Sequence, residues 1–218
     1  MKLNFQIVLS FDLDFTLIDN REGIINSFNY ALQKYNLPQS GTEDIVKMIG
    51  VPLDEMFSKV TDFDSSLLCS AFREYYSSEG IFQVKLFPRV RDLLKKLKKS
   101  FVLGIITSKK EELAIKLLKD LKIASNFDFI LGEIETRKGK THPDLIQFLL
   151  EKYFNYQFVI IGDHLKDKKL AEKLGCPFVG VLTGNHSEND LKSNMNNVKT
   201  MILKSVQEIT IDKIYSLF

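Results

Sequence analysis

Short apolar, β-branched runs bounded by turn residues recur along the chain at Ile7–Phe11, Phe101–Ile106, Phe127–Leu131, Phe158–Ile161 and Phe178–Leu182. Runs this continuous and this short read as strands buried on both faces, the pattern of a parallel sheet. Between the later four lie amphipathic stretches, Lys110–Lys122, Pro143–Phe154 and Asp167–Leu174, with Leu113, Leu117 and Leu121 at the i, i+4 spacing of one helix face and Leu118 beside them. Strand and helix in alternation predict an α/β fold, a doubly wound, Rossmann-like parallel sheet. A sixth run, Met201–Leu203, precedes Ser205 and Glu208, whose S-x-x-E spacing predicts a capping box and a terminal helix through Leu217.

The first strand breaks this rhythm. About ninety residues separate it from the second, whereas a crossover needs roughly a dozen. From Glu22 to about Gly80 the period is helical: Ile24, Ile25, Phe28, Ala31, Leu32 and Tyr35, then Ile45–Ile49, Leu53–Val60 and Leu67–Tyr76. Pro88 then opens a helix from Arg89 to about Lys99. The organisation expected is a core of residues 1–18 and 86–218, with an all-helical domain of residues 19–85 inserted after the first strand. A chain of 218 residues accommodates both.

Charge adds little to this picture. Thirty Lys and Arg against 28 Asp and Glu leave a formal +2, which gives no field for nucleic acid or an anionic membrane, and the run Lys95, Lys96, Lys98, Lys99 reads as a solvated helix face. No stretch reaches the roughly 18 apolar residues of a membrane span. Residues Met1–Ser10 run straight into an acidic motif and read as the first strand, not a signal peptide. Cys69 and Cys176 are too few and too far apart for a disulfide framework or a metal cluster. A reducing cytoplasm, a small partner and a monomer are the expectation.

The candidate chemistry gathers where the strands end. Asp12 and Asp14 follow the first strand in F-D-L-D-F-T, and the carboxyl ends of strands are where open α/β sheets bind ligands. Two such carboxylates repel by about 4 kcal/mol at roughly 4 Å and an effective dielectric of about 20, unless a cation or shared proton intervenes; oxygen ligands favour magnesium. Taken alone, each signal has an ordinary structural explanation. Acidic residues cap turns, Thr107 and Ser108 close the second strand as many turns do, Lys140 could be solvated, and Gly162-Asp163 with Asp167 is a common strand-to-helix junction. Their order, one after each of four successive strands, is what argues for a site.

In these residues the chain resembles the haloacid dehalogenase superfamily, and within it the phosphatases with a helical cap, among them phosphoglycolate phosphatase and β-phosphoglucomutase. FDLDFTLID (Phe11–Asp19), GIITSK ending at Lys109, KTHP (Lys140–Pro143) and the segment Val159–Gly184 match its four motifs in order, and Gly50-Val51-Pro52-Leu53 looks like a cap motif. The resemblance implies a magnesium-dependent phosphatase acting on a small phosphorylated metabolite. Asp12 would be the nucleophile and Asp14 the acid and base; Thr107 and Lys140 would stabilise the transferring group, with Thr16 and Ser108 also at the phosphate. Mg2+ would be held by Asp12, the Asp14 backbone carbonyl and Asp163, and Asp167 would position Lys140 or a metal-bound water. Dehalogenation is disfavoured, because the dehalogenase branch lacks the second aspartate.

Departures from the family pattern are Phe15 and Arg89 where glycine is usual, Thr141 for a proline and His164 for a small hydroxyl residue. Lys138 competes with Lys140 as the motif lysine, although the K-x-x-P spacing to Pro143 favours Lys140. His142 and His186 have no partner at metal-ligand spacing and read as solvated or helix-flanking. Substrate choice is expected in the cap, with Arg21, Lys47 and the Gly50–Leu53 turn as candidates to face the leaving group. The rival readings are a phosphomutase on the same core and a catalytically silent domain that binds a phosphorylated ligand or a protein.

Overall fold

A computed structural model describes residues 5–192 and 198–218. In chain order the strands are β1 (Gln6–Phe11), β2 (Ile18–Asp19), β3 (Lys85–Leu86), β4 (Val102–Lys110), β5 (Phe129–Glu133), β6 (Tyr156–Gly162), β7 (Phe178–Val181) and β8 (Thr200–Leu203). The helices are α1 (Arg21–Lys34), α2 (Thr42–Met48), α3 (Leu53–Ser58), α4 (Ser65–Ser78), α5 (Val90–Leu97), α6 (Glu111–Asp120), α7 (Pro143–Lys152), α8 (Leu165–Leu174), α9 (Glu188–Lys192) and α10 (Ile211–Tyr215). The part of the first-strand reading that covers Met1 to Asn4 lies outside the described residues.

Two compact units emerge, Met1–Ile18 with Leu86–Phe218, and Asp19–Lys85. In the first, six strands form a parallel sheet in the order β5-β4-β1-β6-β7-β8. The doubly wound α/β class expected from the alternation of strands and helices is therefore the fold. β1 lies at its centre, pairing Leu9 with Leu103 on one side and with Val159 on the other. Since the chain builds outward from β1 in both directions, the carboxyl end of β1 is the switch point where such sheets bind ligands.

The apolar runs are buried as a two-sided sheet requires. Val8, Leu9 and Phe11 are fully inaccessible. Val8, Ile106, Phe158, Ile160 and Phe178 from the strands pack with Leu145 and Leu149 of α7 and Leu170 of α8 in one cluster. Burial of each such side chain contributes about 1.5–3 kcal/mol. On α5, Val90, Leu93, Leu94 and Leu97 turn inward, while Lys95, Lys96 and Lys99 are exposed and Lys98 pairs with Asp128 at 2.7 Å. The lysine run is the solvated face that its spacing suggested.

The helical unit has its own core. Phe28, Ala31 and Leu32 of α1, Ile45 of α2, Phe57 of α3 and Leu68 of α4 form a single cluster, with Phe28 and Phe57 stacked at 4.2 Å between ring centroids. Asp64 caps α4 by accepting the Ser66 N–H at 2.8 Å. Cys69 and Cys176 are both buried thiols. Among the described residues no helix is long and apolar enough to cross a membrane.

The carboxyl-terminal region corrects the sequence reading. In place of one helix from Ser205, a single 3-10 turn at Val206–Glu208 is followed by α10. Ser205 makes no side-chain cap, and the Glu208 carboxylate instead accepts the Lys204 N–H at 3.0 Å. The break falls at the β-branched pair Ile209-Thr210, both extended. Ile209 is drawn into the core, and the Thr210 hydroxyl accepts the Lys213 N–H at 3.2 Å to start the next helix.

Arg89 occupies the N-cap of α5 with φ +60°. A left-handed backbone costs an L-residue about 1–2 kcal/mol, partly offset by the roughly 0.5–1 kcal/mol of extra chain entropy that glycine brings to the unfolded state. Arg89→Gly is therefore expected to raise stability by up to about 1 kcal/mol in urea denaturation. A loss of that size would show that the exposed arginine side chain outweighs the strain.

Candidate active site

The candidate groups of the core gather at the carboxyl edge of the sheet: Asp12 and Asp163 directly follow β1 and β6, Thr107 and Ser108 lie near the end of β4, Lys140 is in the loop after β5, and Asp167 is in the first turn of α8. Asp12 continues β1, its N–H donating to the Ile161 carbonyl at 2.8 Å. A tight turn then folds back, the Leu17 and Ile18 N–H groups both donating to the Leu13 carbonyl at 3.0 and 3.1 Å. Phe15 in that turn has φ +55°. The two positions where the chain departs from the usual glycine, Phe15 and Arg89, thus both keep the left-handed backbone that glycine adopts without strain.

Asp12, Thr107, Lys140, Asp163 and Asp167 are all buried. Lys140 Nζ lies 2.6 Å from Asp12 Oδ1 and 2.6 Å from Asp167 Oδ1, while Lys138 is exposed. Lys140 is accordingly the lysine at the sheet edge. Burial by itself would drive its ammonium towards neutrality, but Asp12 and Asp167 overcome this and raise its pKa, so it stays charged. Asp167 also accepts the His164 N–H at 3.2 Å through Oδ2.

The carboxylates are pressed together. Oxygens of Asp12, Asp163 and Asp167 lie within 4.8 Å of one another. Burial, reinforced by Asp167 and Asp14 and opposed by Lys140, pushes Asp12 up to about 7. Burial with Asp12 and Asp167 pushes Asp163 up to about 8, although the Thr16 hydroxyl donates to its Oδ1 at 3.0 Å. Adding Asp14, whose Oδ1 lies 3.3 Å from Lys109 Nζ, four carboxylates meet the paired ammonium groups of Lys109 and Lys140 and the exposed Lys166, which still leaves negative charge in excess when all are ionised. Hard oxygen donors with this charge excess suit a divalent cation such as Mg2+.

Two glycines make the crowding possible. A Cβ at Gly162 would overlap the Asp167 carboxyl group, and one at Gly184 would overlap that of Asp163. The recess so formed is lined by Asp12, Asp14, Phe15, Thr107, Ser108, Lys140, Asp163, His164 and Lys166, and its volume is about 140 Å³. That suits a phosphoryl-sized group and is well below the roughly 300–1,000 Å³ of a pocket enclosing a whole small molecule.

The family of haloacid dehalogenase-like hydrolases matches residues 9–181. This chain belongs to that family. Among its relatives, the phosphoglycolate phosphatase of Photorhabdus laumondii is 29% identical over 198 residues, covering 85% of each chain. That of Escherichia coli K12 is 29% identical over 207 residues, covering 81% of each. A solved haloacid dehalogenase-like hydrolase from Streptococcus pneumoniae superposes with a TM-score of 0.78 at 30% identity, covering 93% of this chain and 96% of its own.

Within this hydrolase, the structure gathers Asp12, Asp14, Thr107, Ser108, Lys140 and Asp163 around one recess, with Asp167 behind Lys140. Thr16 is fully buried and turns its hydroxyl to Asp163. It is set against that carboxylate and is not among the residues that line the recess, while the resemblance placed it at the phosphate. Arg21 belongs to the helical unit, where it begins α1 and its Nε donates to Asp19 at 2.8 Å. Lys47, in α2, has its ammonium 3.8 Å from Asp44.

The sequence reading missed two features of the site. One is Lys109. The other is the capping role of His164, whose Nδ1 accepts the Lys166 N–H at 3.0 Å while Asp167 closes a reciprocal capping box. Burial, then the His186 ring at 4.4 Å, lowers the His164 pKa to about 4, leaving it neutral and able to accept. His142 caps α7 in the same way, its Nδ1 accepting the Asp144 N–H at 3.3 Å. An H-x-x-D spacing at the mouth of an amphipathic helix was the available signal for His164.

Proposed function

We propose that this hydrolase cleaves the phosphate monoester of a small, anionic metabolite through a covalent intermediate on Asp12. The observation that carries the reading is the buried Asp12 carboxylate, held 2.6 Å from Lys140 at the floor of a recess of phosphoryl size. The names of the relatives, phosphoglycolate phosphatases, support a small phosphorylated carboxylic acid as the first compound to try.

An Asp12 oxygen attacks phosphorus as the bond to the leaving oxygen breaks, and Asp14 gives its proton to that oxygen. Asp14, now a carboxylate, takes a proton from water as the water oxygen attacks the same phosphorus, which frees Asp12 and releases inorganic phosphate. Lys140 stabilises the negative charge on Asp12 and on the transferring oxygens, and the Thr107 hydroxyl and Ser108 hold a phosphoryl oxygen. Asp167 fixes Lys140. Asp12 and Asp163, with the Asp14 backbone carbonyl, would hold Mg2+, which supplies charge neutralisation so that an anionic nucleophile can approach an anionic phosphate. The small volume of the recess suits the phosphoryl group alone, so the rest of the metabolite is recognised outside it.

The test is phosphate release from a panel of phosphorylated metabolites, phosphoglycolate among them, with magnesium and with EDTA. Release that EDTA abolishes is the expected result. Isomerisation of a hexose phosphate without free phosphate would transfer the reading to a mutase. Saturable binding without turnover would transfer it to a silent phospho-ligand domain.

A further inference from the structure

The turn after β4 carries two adjacent lysines with opposite fates. Lys110 is exposed, whereas the Lys109 side chain is only 8% exposed and its ammonium lies 3.3 Å from Asp14 Oδ1. A lysine is seldom buried without a charged partner, because its ammonium loses hydration. The backbone is shaped to bring it in. The register of β4 against β5 shifts between Ile106 and Lys110, and the Lys109 N–H donates to the Thr107 hydroxyl oxygen at 3.2 Å. The same bond leaves the Thr107 hydroxyl hydrogen to be donated elsewhere.

The ammonium groups are thereby divided among the carboxylates. Lys140 is engaged by Asp12 and Asp167, and Lys109 by Asp14. We infer that Lys109 is a positioning residue for Asp14: by holding one carboxylate oxygen it fixes the plane and reach of the side chain that delivers a proton to the leaving oxygen. The inference rests on the proposed phosphatase reading and deepens it. Asp14 has a side chain 24% exposed and two rotatable bonds, so the ion pair with Lys109 narrows the rotamers open to it. Proton delivery requires hydrogen-bond reach, and a displacement of about 1 Å can cost on the order of 100-fold.

The experiment compares kcat/KM, which reports the steps up to the first P–O cleavage, on an alkyl phosphate and on 4-nitrophenyl phosphate. The alkoxide needs a proton to depart and the nitrophenolate does not. Lys109→Met is expected to lower kcat/KM about 100-fold on the alkyl ester and less than about 5-fold on the nitrophenyl ester. Lys109→Arg should recover most of the alkyl activity, and Asp14→Asn should show the same selectivity more strongly. Equal losses on both esters with Lys109→Met would overturn the inference, because a purely structural or phosphate-binding lysine is blind to the leaving group. If Lys109→Met does not fold in a thermal melt, Lys109→Gln and Lys109→Arg are read on the same two esters, and a loss in both without leaving-group dependence has the same meaning. The parent reading fails separately, when native protein releases no phosphate or Asp14→Asn treats the two esters alike.

Discussion

Asp12→Asn is expected to lower phosphate release by on the order of 10⁴-fold, because the amide keeps the shape of the side chain but cannot form the covalent intermediate. The same substitution should raise the stability of the metal-free protein at pH 8. Asp12 sits where burial, Asp167 and Asp14 push its pKa to about 7 despite Lys140, so keeping it ionised at pH 8 costs roughly 1–4 kcal/mol. A neutral side chain avoids that cost. The two readouts move in opposite directions, which separates loss of the nucleophile from damage to the fold. Activity within about 10-fold of native would place the nucleophile elsewhere, and a large drop in melting temperature alongside lost activity would point to misfolding.

The second large effect is a pH dependence of stability that metal should reverse. Asp12 and Asp163 start from an ordinary value of 3.8 and are raised in the folded protein to about 7 and about 8. At these two groups the folded state therefore binds more protons than the unfolded chain between pH 4 and 8; His164, lowered from 6.5 to about 4, works the other way over the lower part of that window, so metal-free stability should fall as pH rises, most steeply between pH 6.5 and 8. Below pH 4 both states are protonated at these groups and no stability is lost there. Above pH 8 the full cost, on the order of a few kcal/mol, is present. The proposed magnesium would bind the ionised carboxylates, so its stabilising effect should grow from small at pH 5 to large at pH 8. Thermal melts with EDTA and with magnesium across that range check this. Metal-free stability that is flat or rising between pH 5 and 8 would mean that the carboxylates are not forced together.

Much of this site can be read in the sequence because its groups follow strands, and strands announce themselves. The runs ending at Phe11, Ile106, Leu131 and Ile161 are short, predominantly apolar segments broken only by Ser10, Gly104 and Asp128, so the residues after them are placed on one edge by topology alone. Lys140 could be preferred to Lys138 from the spacing to Pro143, and only Lys140 is buried. Lys109 was not legible, since Ser108-Lys109-Lys110-Glu111 has the composition of a solvated turn and only the irregular register of β4 distinguishes one lysine from the next. The commitment of Thr16 to Asp163 was equally hidden, as it joins residues 147 apart. The carboxyl-terminal helix was misread because S-x-x-E is a local signal. Burial of Ile209 is a tertiary demand, and it overrode the cap.

Gly162 and Gly184 widen what counts as the active site. Neither is among the residues that line the recess, yet the space a methyl group would fill at each is already taken by the carboxyl group of Asp167 or Asp163. Part of the catalytic specification is therefore written as missing mass. An inventory of polar residues undercounts the positions at which drift can extinguish activity, and a homologue retaining every aspartate could still be inert through a single added carbon at either glycine.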